Sequence, residues 1–212
     1  MRYLGYKGSL PGDNIQKIID ECEAELLSAI EPRYIYHAFD IVRRTEKLLL
    51  DGCNISLDGK DIKNHLDGCD RAVLFCSTLS AGADRLIRTA QLEDMTRAVI
   101  INSLASVAIE QVCDFAESEI RKEYPESFMT WRFSPGYGDF PIEIQGDFLN
   151  VLNAPKRIGL TATESSILIP KKSVTAIIGL SDKPIEQKKR GCQTCNLRET
   201  CNFRKRGEHC GF

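Results

Sequence analysis

Phe128-Met-Thr-Trp-Arg-Phe-Ser-Pro-Gly-Tyr-Gly-Asp-Phe-Pro141 runs an extended segment straight into a turn. Aromatic, aliphatic and β-branched residues up to Phe133 suit a strand. Pro135 restricts φ and Gly136 frees it, so the chain can reverse there and bring its backbone close to a ligand. Arg132 supplies a permanent cation whose planar fork of donors matches a carboxylate, and Tyr137 supplies a flat ring with a hydroxyl. A ligand carrying a carboxylate, a positive charge and a heterocycle would suit such a set. Residues 132–141 also describe a surface β-turn with an arginine, and local chemistry alone favours that plainer reading.

Upstream, a helical pattern extends from about residue 84 to 123, with bends expected near Asp94 and Asn102. Leu104, Val107, Ala108, Val112 and Phe115 recur there at helical spacing, and Tyr124-Pro125 closes it. Arg71-Ala-Val-Leu-Phe-Cys-Ser-Thr78 is an apolar run of strand length, as is the aromatic and β-branched segment 34–41. Residues 14–31 place apolar groups at 15, 18, 19, 22, 26, 27 and 30, one face of a helix that Pro32 ends. Residues 48–57 predict a helix end passing into a short extended piece, and 60–66 one or two helical turns. Downstream, a helix around 146–152 ends near Pro155, and β segments follow over 158–163, 166–170 and 173–180. Helices mixed with strands, without strict βαβ alternation, predict an α+β fold: a twisted, mainly antiparallel sheet flanked by helices. The composition turns charged and linker-like after Ser181, so one domain is expected over 1–181 and a small Cys-rich appendage over 182–212.

Lysine and arginine number 28 against 30 aspartates and glutamates, a net charge of -2 that gives no global attraction to nucleic acid or membrane. No uninterrupted apolar run has the length of a membrane span, and the first residues are too polar for a secretory signal, so a cytoplasmic location is expected. In that compartment the nine cysteines should be reduced. Cys22, Cys53, Cys69, Cys76 and Cys113 are scattered and read as small buried hydrophobes.

Cys192, Cys195, Cys201 and Cys210 instead form a Cys-x2-Cys-x5-Cys-x8-Cys cluster interleaved with Arg198, Arg204, Lys205 and Arg206. Four thiolates so spaced can wrap one tetrahedral metal or one iron-sulfur cluster, and the neighbouring cations favour their deprotonation. A zinc ribbon pairs two Cys-x2-Cys knuckles, and only one is present, which leans toward a 4Fe-4S cluster with zinc as the alternative. His209, next to Cys210, is either a substitute ligand or, as such a position more often means, a bystander. A nucleic-acid role for the basic tail is weaker, because Glu199 and Glu208 interrupt the charge and only Phe203 offers a stacking surface.

Three segments together resemble the activation domain of vitamin B12-dependent methionine synthase. The first is an Arg-x-x-x-Gly-Tyr-x-x-x-Pro motif, met by Arg132, Gly136, Tyr137 and Pro141. The second is Leu104-Ala-Ser-Val-Ala-Ile-Glu110, similar to an alanine-rich helix that supplies a glutamate. The third is Gly159-Leu-Thr-Ala-Thr-Glu-Ser-Ser-Ile-Leu-Ile-Pro-Lys-Lys-Ser-Val174, continued by Thr175-Ala-Ile-Ile178, whose Ile178 stands in place of the family's tyrosine. The resemblance covers residues 104–181. It implies a free-standing subunit that binds S-adenosylmethionine, with Arg132 on the methionyl carboxylate, Glu110 on a cationic part of the ligand, and Pro135, Gly136 and Tyr137 along the adenosine. It implies a corrinoid-binding partner, a methionine synthase or related methyltransferase carrying cobalamin. The reduced cobalt would be the nucleophile, so the chain needs no catalytic base of its own. The electron would come from a donor such as flavodoxin or ferredoxin, with the cysteine tail as a relay. A partner-binding module with a zinc-stabilised tail is the alternative reading.

Overall fold

The computed structural model describes residues 11–44, 47–53, 55–185, 199 and 202–205. The elements in chain order are α1 (Asp13–Ala29), β1 (Arg33–Arg43), β2 (Leu48–Leu50), β3 (Ser56–Leu57), α2 (Lys60–His65), β4 (Arg71–Thr78), α3 (Ala81–Glu93), α4 (Met95–Glu123), β5 (Phe128–Met129), a 3-10 turn at Ile142–Ile144, α5 (Gln145–Val151), α6 (Ala154–Ile158), β6 (Thr161–Ala162), β7 (Leu168–Ile169), β8 (Ser173–Ser181) and α7 (Asn202–Lys205).

The apolar run of β4 is central because both of its faces are buried, every residue from Ala72 to Thr78 included. It pairs with β1 from Arg33↔Thr78 to Asp40↔Arg71, and with β8 from Arg71↔Leu180 to Thr78↔Ser173. The sheet runs β3-β2-β1-β4-β8-β5, with antiparallel pairing throughout. Alternation then divides the core. Val73, Phe75, Ala176, Ile178 and Leu180 pack under α1, α3 and α4. Ala72, Leu74, Cys76 and Ile177 pack on the other face with Ile62 of α2, Phe148 of α5 and Ile158 of α6. The α+β reading with a mainly antiparallel sheet holds.

Several expected boundaries change. Residues 48–57 contain two short strands and no helix end, because Leu48, Leu50 and Leu57 alternate into the core and pair beside β1. The long helical stretch does break at Asp94, whose extended backbone leaves α3 while its carboxylate accepts from the N–H groups of Thr96 and Arg97 to cap α4. It runs unbroken through Asn102, an exposed residue flanked by the buried Ile101 and Ser103, where packing outweighs a small propensity cost. The strand expected over 128–133 is cut to Phe128–Met129 and an isolated bridge, Phe133↔Ile177. Between them the Thr130 hydroxyl accepts from the Gly179 N–H at 2.7 Å, a bond that distorts the ladder. Residues 161–169 form a separate two-stranded hairpin, β6 with β7.

Helix α4 spans 29 residues, and its most apolar stretch has a mean hydropathy of 1.4, long and apolar enough to cross a membrane. In this fold it lies over the sheet, with Ile101, Ala105, Ile109, Cys113, Ala116 and Ile120 buried along one face. Arg97 joins it to α1 through Glu21 at 3.2 Å and Glu25 at 2.6 Å. Of the scattered cysteines, Cys22, Cys69, Cys76 and Cys113 are buried and Cys53 is half-buried. Burial pushes the Cys69 and Cys113 thiols up to about 11, so both stay protonated and unreactive at neutral pH.

The C-terminal end of α1 crosses the start of α3 at Gly82, where an added Cβ would lie 1.7 Å from the Ala29 carbonyl oxygen. Backbone cannot retreat as a side-chain tip can. Gly82→Ala is therefore expected to cost about 3 kcal/mol or more and to lower Tm by roughly 6 to 12 °C, measurable by thermal denaturation. An unchanged Tm would contradict this crossing.

Candidate functional site

The turn after Phe133 is built by three backbone bonds: Tyr137 N–H to the Ser134 carbonyl at 3.1 Å, Phe140 N–H to Tyr137 at 3.0 Å, and Gly136 N–H to Phe140 at 2.9 Å. Gly136 takes φ 87° and Gly138 φ 57°, both left-handed. Pro135 and Phe140 are buried beneath the turn, while Gly136 and Tyr137 are exposed, the Tyr137 ring resting edge-on against Phe133. Asp139 pins the turn to α2. Its carboxylate accepts from the N–H groups of Lys60 at 2.7 Å and Asp61 at 2.9 Å, the first turn of that helix. Those bonds hold the Asp139 carboxyl below its usual range.

Arg132 leaves the strand on the α4 side, its side chain only 14% exposed. Glu110, Asp114 and Glu117 lie on one face of α4, as their spacing of four and three residues requires. Arg132 Nη1 donates to Glu117 at 2.9 Å, and Nη2 donates to Asp114 at 2.9 Å and Glu110 at 3.3 Å. Burial opposes its charge, but the Asp114 hydrogen bond and the surrounding carboxylates raise its pKa above the ordinary value. The structure thus brings together Glu110 and Arg132, the two charged residues singled out in the sequence. It also shows Arg132 occupied by carboxylates of its own chain. Asp114 and Glu117 were readable from helical spacing once Glu110 was chosen, yet no motif marked them.

The third segment of the resemblance reaches α4 through Lys172, whose ammonium donates to the Asn102 carbonyl at 3.0 Å and the Ser106 hydroxyl at 2.8 Å. Burial lowers the Lys172 pKa, while Asp84 opposes that shift. Ser106 precedes Glu110 by one helical turn, so Lys172 and Arg132 meet the same side of α4 on either side of Glu110. The β6–β7 hairpin is braced from behind by Gln145, buried, which donates to the Ser166 carbonyl at 3.1 Å and accepts from Thr175 at 2.5 Å. Glu164 and Ser165 sit exposed at the hairpin tip. Ile178 is fully buried under the helices. The Phe133↔Ile177 bridge sets its backbone beside that of Arg132, so an isoleucine there extends the core where a tyrosine would present a hydroxyl.

An open hollow of about 690 Å³ adjoins the cluster, lined by Asp114, Glu117, Ser118, Arg121, Lys122 and Pro125. A second, of about 680 Å³, lies on the opposite side of the sheet near His37 and Arg157. Cys192, Cys195, Cys201 and Cys210 lie outside the described residues. Among the described residues no group of three or more His, Cys, Asp or Glu side chains is arranged to hold a metal ion.

No protein-family model matches the chain, and no curated protein matches it in sequence. Its fold is similar to that of the MetH reactivation domain solved in a crystal bound to AdoHcy, with a TM-score of 0.63 over 98% of this chain and 79% of that one. Identity is 13%, so the likeness establishes a common fold. It reaches well beyond residues 104–181, where the sequence resemblance lies.

Because the Asp139 carboxyl is acidified by folding, its contribution is present above the unfolded carboxylate pKa of about 4 and is lost as pH falls through the lower folded value. Urea midpoints measured from pH 6 down to pH 2 should fall less steeply for Asp139→Asn than for the parent chain. Parallel curves would show that the turn is not held to α2 by this charge.

Proposed function

We propose that the chain binds S-adenosylmethionine at the Glu110–Arg132 cluster and presents its methyl group to the reduced corrinoid of a partner methyltransferase, restoring that cofactor after oxidation. The observation that carries this reading is the pairing of Glu110 with Arg132 beside the Gly136 turn, on a fold shared with the MetH reactivation domain bound to AdoHcy. S-adenosylmethionine has a carboxylate for Arg132, an ammonium and a sulfonium for the acidic face of α4, and an adenosine for the exposed backbone of Gly136 and the ring of Tyr137. Three carboxylates around one guanidinium leave the cluster net negative, which attracts the ligand's positive end. The partner's corrinoid, reduced by one electron from a flavodoxin- or ferredoxin-like donor, supplies the nucleophile. It takes the methyl group, and S-adenosylhomocysteine leaves. The task of this chain is then to orient the sulfonium and to keep it accessible, with no proton to move.

The competing reading makes Arg132 a strut that ties α4 to the end of the sheet in a partner-binding module, and its three internal ion pairs favour that view. Titration calorimetry separates the two. The first reading expects measurable binding of S-adenosylmethionine, weakened about tenfold or more in Arg132→Lys and in Glu110→Gln, since each substitution removes a charge-assisted contact or its geometry. No binding by the parent chain, or affinity in both variants equal to that of the parent, would defeat it.

For the tail we propose a cluster held by Cys192, Cys195, Cys201 and Cys210, which rests on their spacing and on the adjacent cations. Anaerobically purified chain should carry iron and sulfide in equal amounts with broad visible absorption. Stoichiometric zinc in a colourless protein would replace the electron relay with a structural knuckle.

A further inference from the structure

Arg132 Nη2 donates to both Asp114 and Glu110, so a ligand carboxylate that takes the Nη2 edge must displace one of them. We propose that Asp114 is an internal competitor for Arg132, a carboxylate latch that the carboxylate of the incoming ligand displaces. The inference rests on the S-adenosylmethionine reading of this site.

The three carboxylates around Arg132 are not equivalent. Glu117 accepts from Nη1 at 2.9 Å and is only 28% exposed, so it anchors the guanidinium. Glu110 and Asp114 share Nη2, at 3.3 Å and 2.9 Å. Of these two, Asp114 makes the shorter bond yet is 71% exposed. It also borders the open hollow of about 690 Å³, which gives its side chain room to swing away. Its short side chain brings a carboxylate to the Nη2 edge in the manner a free amino acid carboxylate would. An exposed ion pair contributes little to stability, so releasing it costs little. The exchange is electrically neutral at Arg132: one carboxylate leaves and another arrives. Glu110 then keeps its place beside the ligand's cationic end.

A general electrostatic effect predicts the opposite sign. Removing a negative charge from this face should weaken the binding of any cationic ligand. A latch predicts that Asp114→Asn tightens binding, and only for ligands with a carboxylate.

The test is titration calorimetry of the full chain and Asp114→Asn with S-adenosylmethionine and with decarboxylated S-adenosylmethionine, alongside thermal denaturation of Asp114→Asn and Glu117→Gln. The expected result is roughly two- to fivefold tighter binding of S-adenosylmethionine by the variant, with the decarboxylated ligand bound no more tightly. Thermal denaturation should show Asp114→Asn less destabilised than Glu117→Gln. Unchanged or weaker binding of S-adenosylmethionine by Asp114→Asn overturns the latch, as does an equal gain for both ligands. Absence of binding by both proteins removes the proposed function itself. The denaturation arm still judges the latch in that case, because an Asp114→Asn loss as large as that of Glu117→Gln would make Asp114 a second anchor.

Discussion

Strand β4 has no solvent-facing side from Ala72 to Thr78, and a strand buried on both faces needs covering layers above and below as well as a hydrogen-bonding partner on each edge. β1 and β8 complete its edges along its whole length. Helices α1, α3 and α4 cover one face, and α2, α5, α6 and the loop through Phe140 cover the other. The candidate site follows from this arrangement. β8 must lie between β4 and the chain after β5, and α4 must lie across the same sheet, so the segment leaving Met129 emerges alongside α4. Arg132 is the residue at that junction.

Charge at the junction is unevenly distributed. Arg132 is mostly withdrawn from water, whereas two of its three partners are well exposed, Glu110 at 53% and Asp114 at 71%. A guanidinium so placed needs carboxylates to offset its desolvation, and α4 supplies them from one face. The pairs therefore offset the desolvation of the guanidinium and at the same time occupy the group that the proposed ligand's carboxylate would need. The braces around the site, Asp139 on α2, Gln145 behind the hairpin and Lys172 on α4, hold separate loops at fixed positions about this cluster.

Much of the fold was legible along the chain. The helices at 13–29 and 95–123 and the strands at 33–43, 71–78 and 173–181 all announced themselves by period or by apolar run. The misread places share one cause: pairing or packing with residues distant in sequence decided their conformation. Leu48-Leu-Leu50 is ambiguous between helix and strand until β1 lies beside it. Thr130 interrupts an otherwise regular strand because its hydroxyl takes the Gly179 N–H. Asn102 looked like a bend, but an exposed asparagine carries little weight against the buried neighbours of α4.

For the site, the sequence by itself determined which chemistry was present: an arginine before a Gly-Tyr turn, a glutamate on an alanine-rich helix, and a third segment whose Lys172 proved to reach that helix. Those are local properties of residue type and spacing. Only the tertiary structure decided that Glu110 and Arg132 touch, that Asp114 and Glu117 join them, and that Ile178 belongs to the core. A charged side chain's partners depend on which elements the sheet order brings within about 4 Å, and that proximity is a property of packing that no local pattern records.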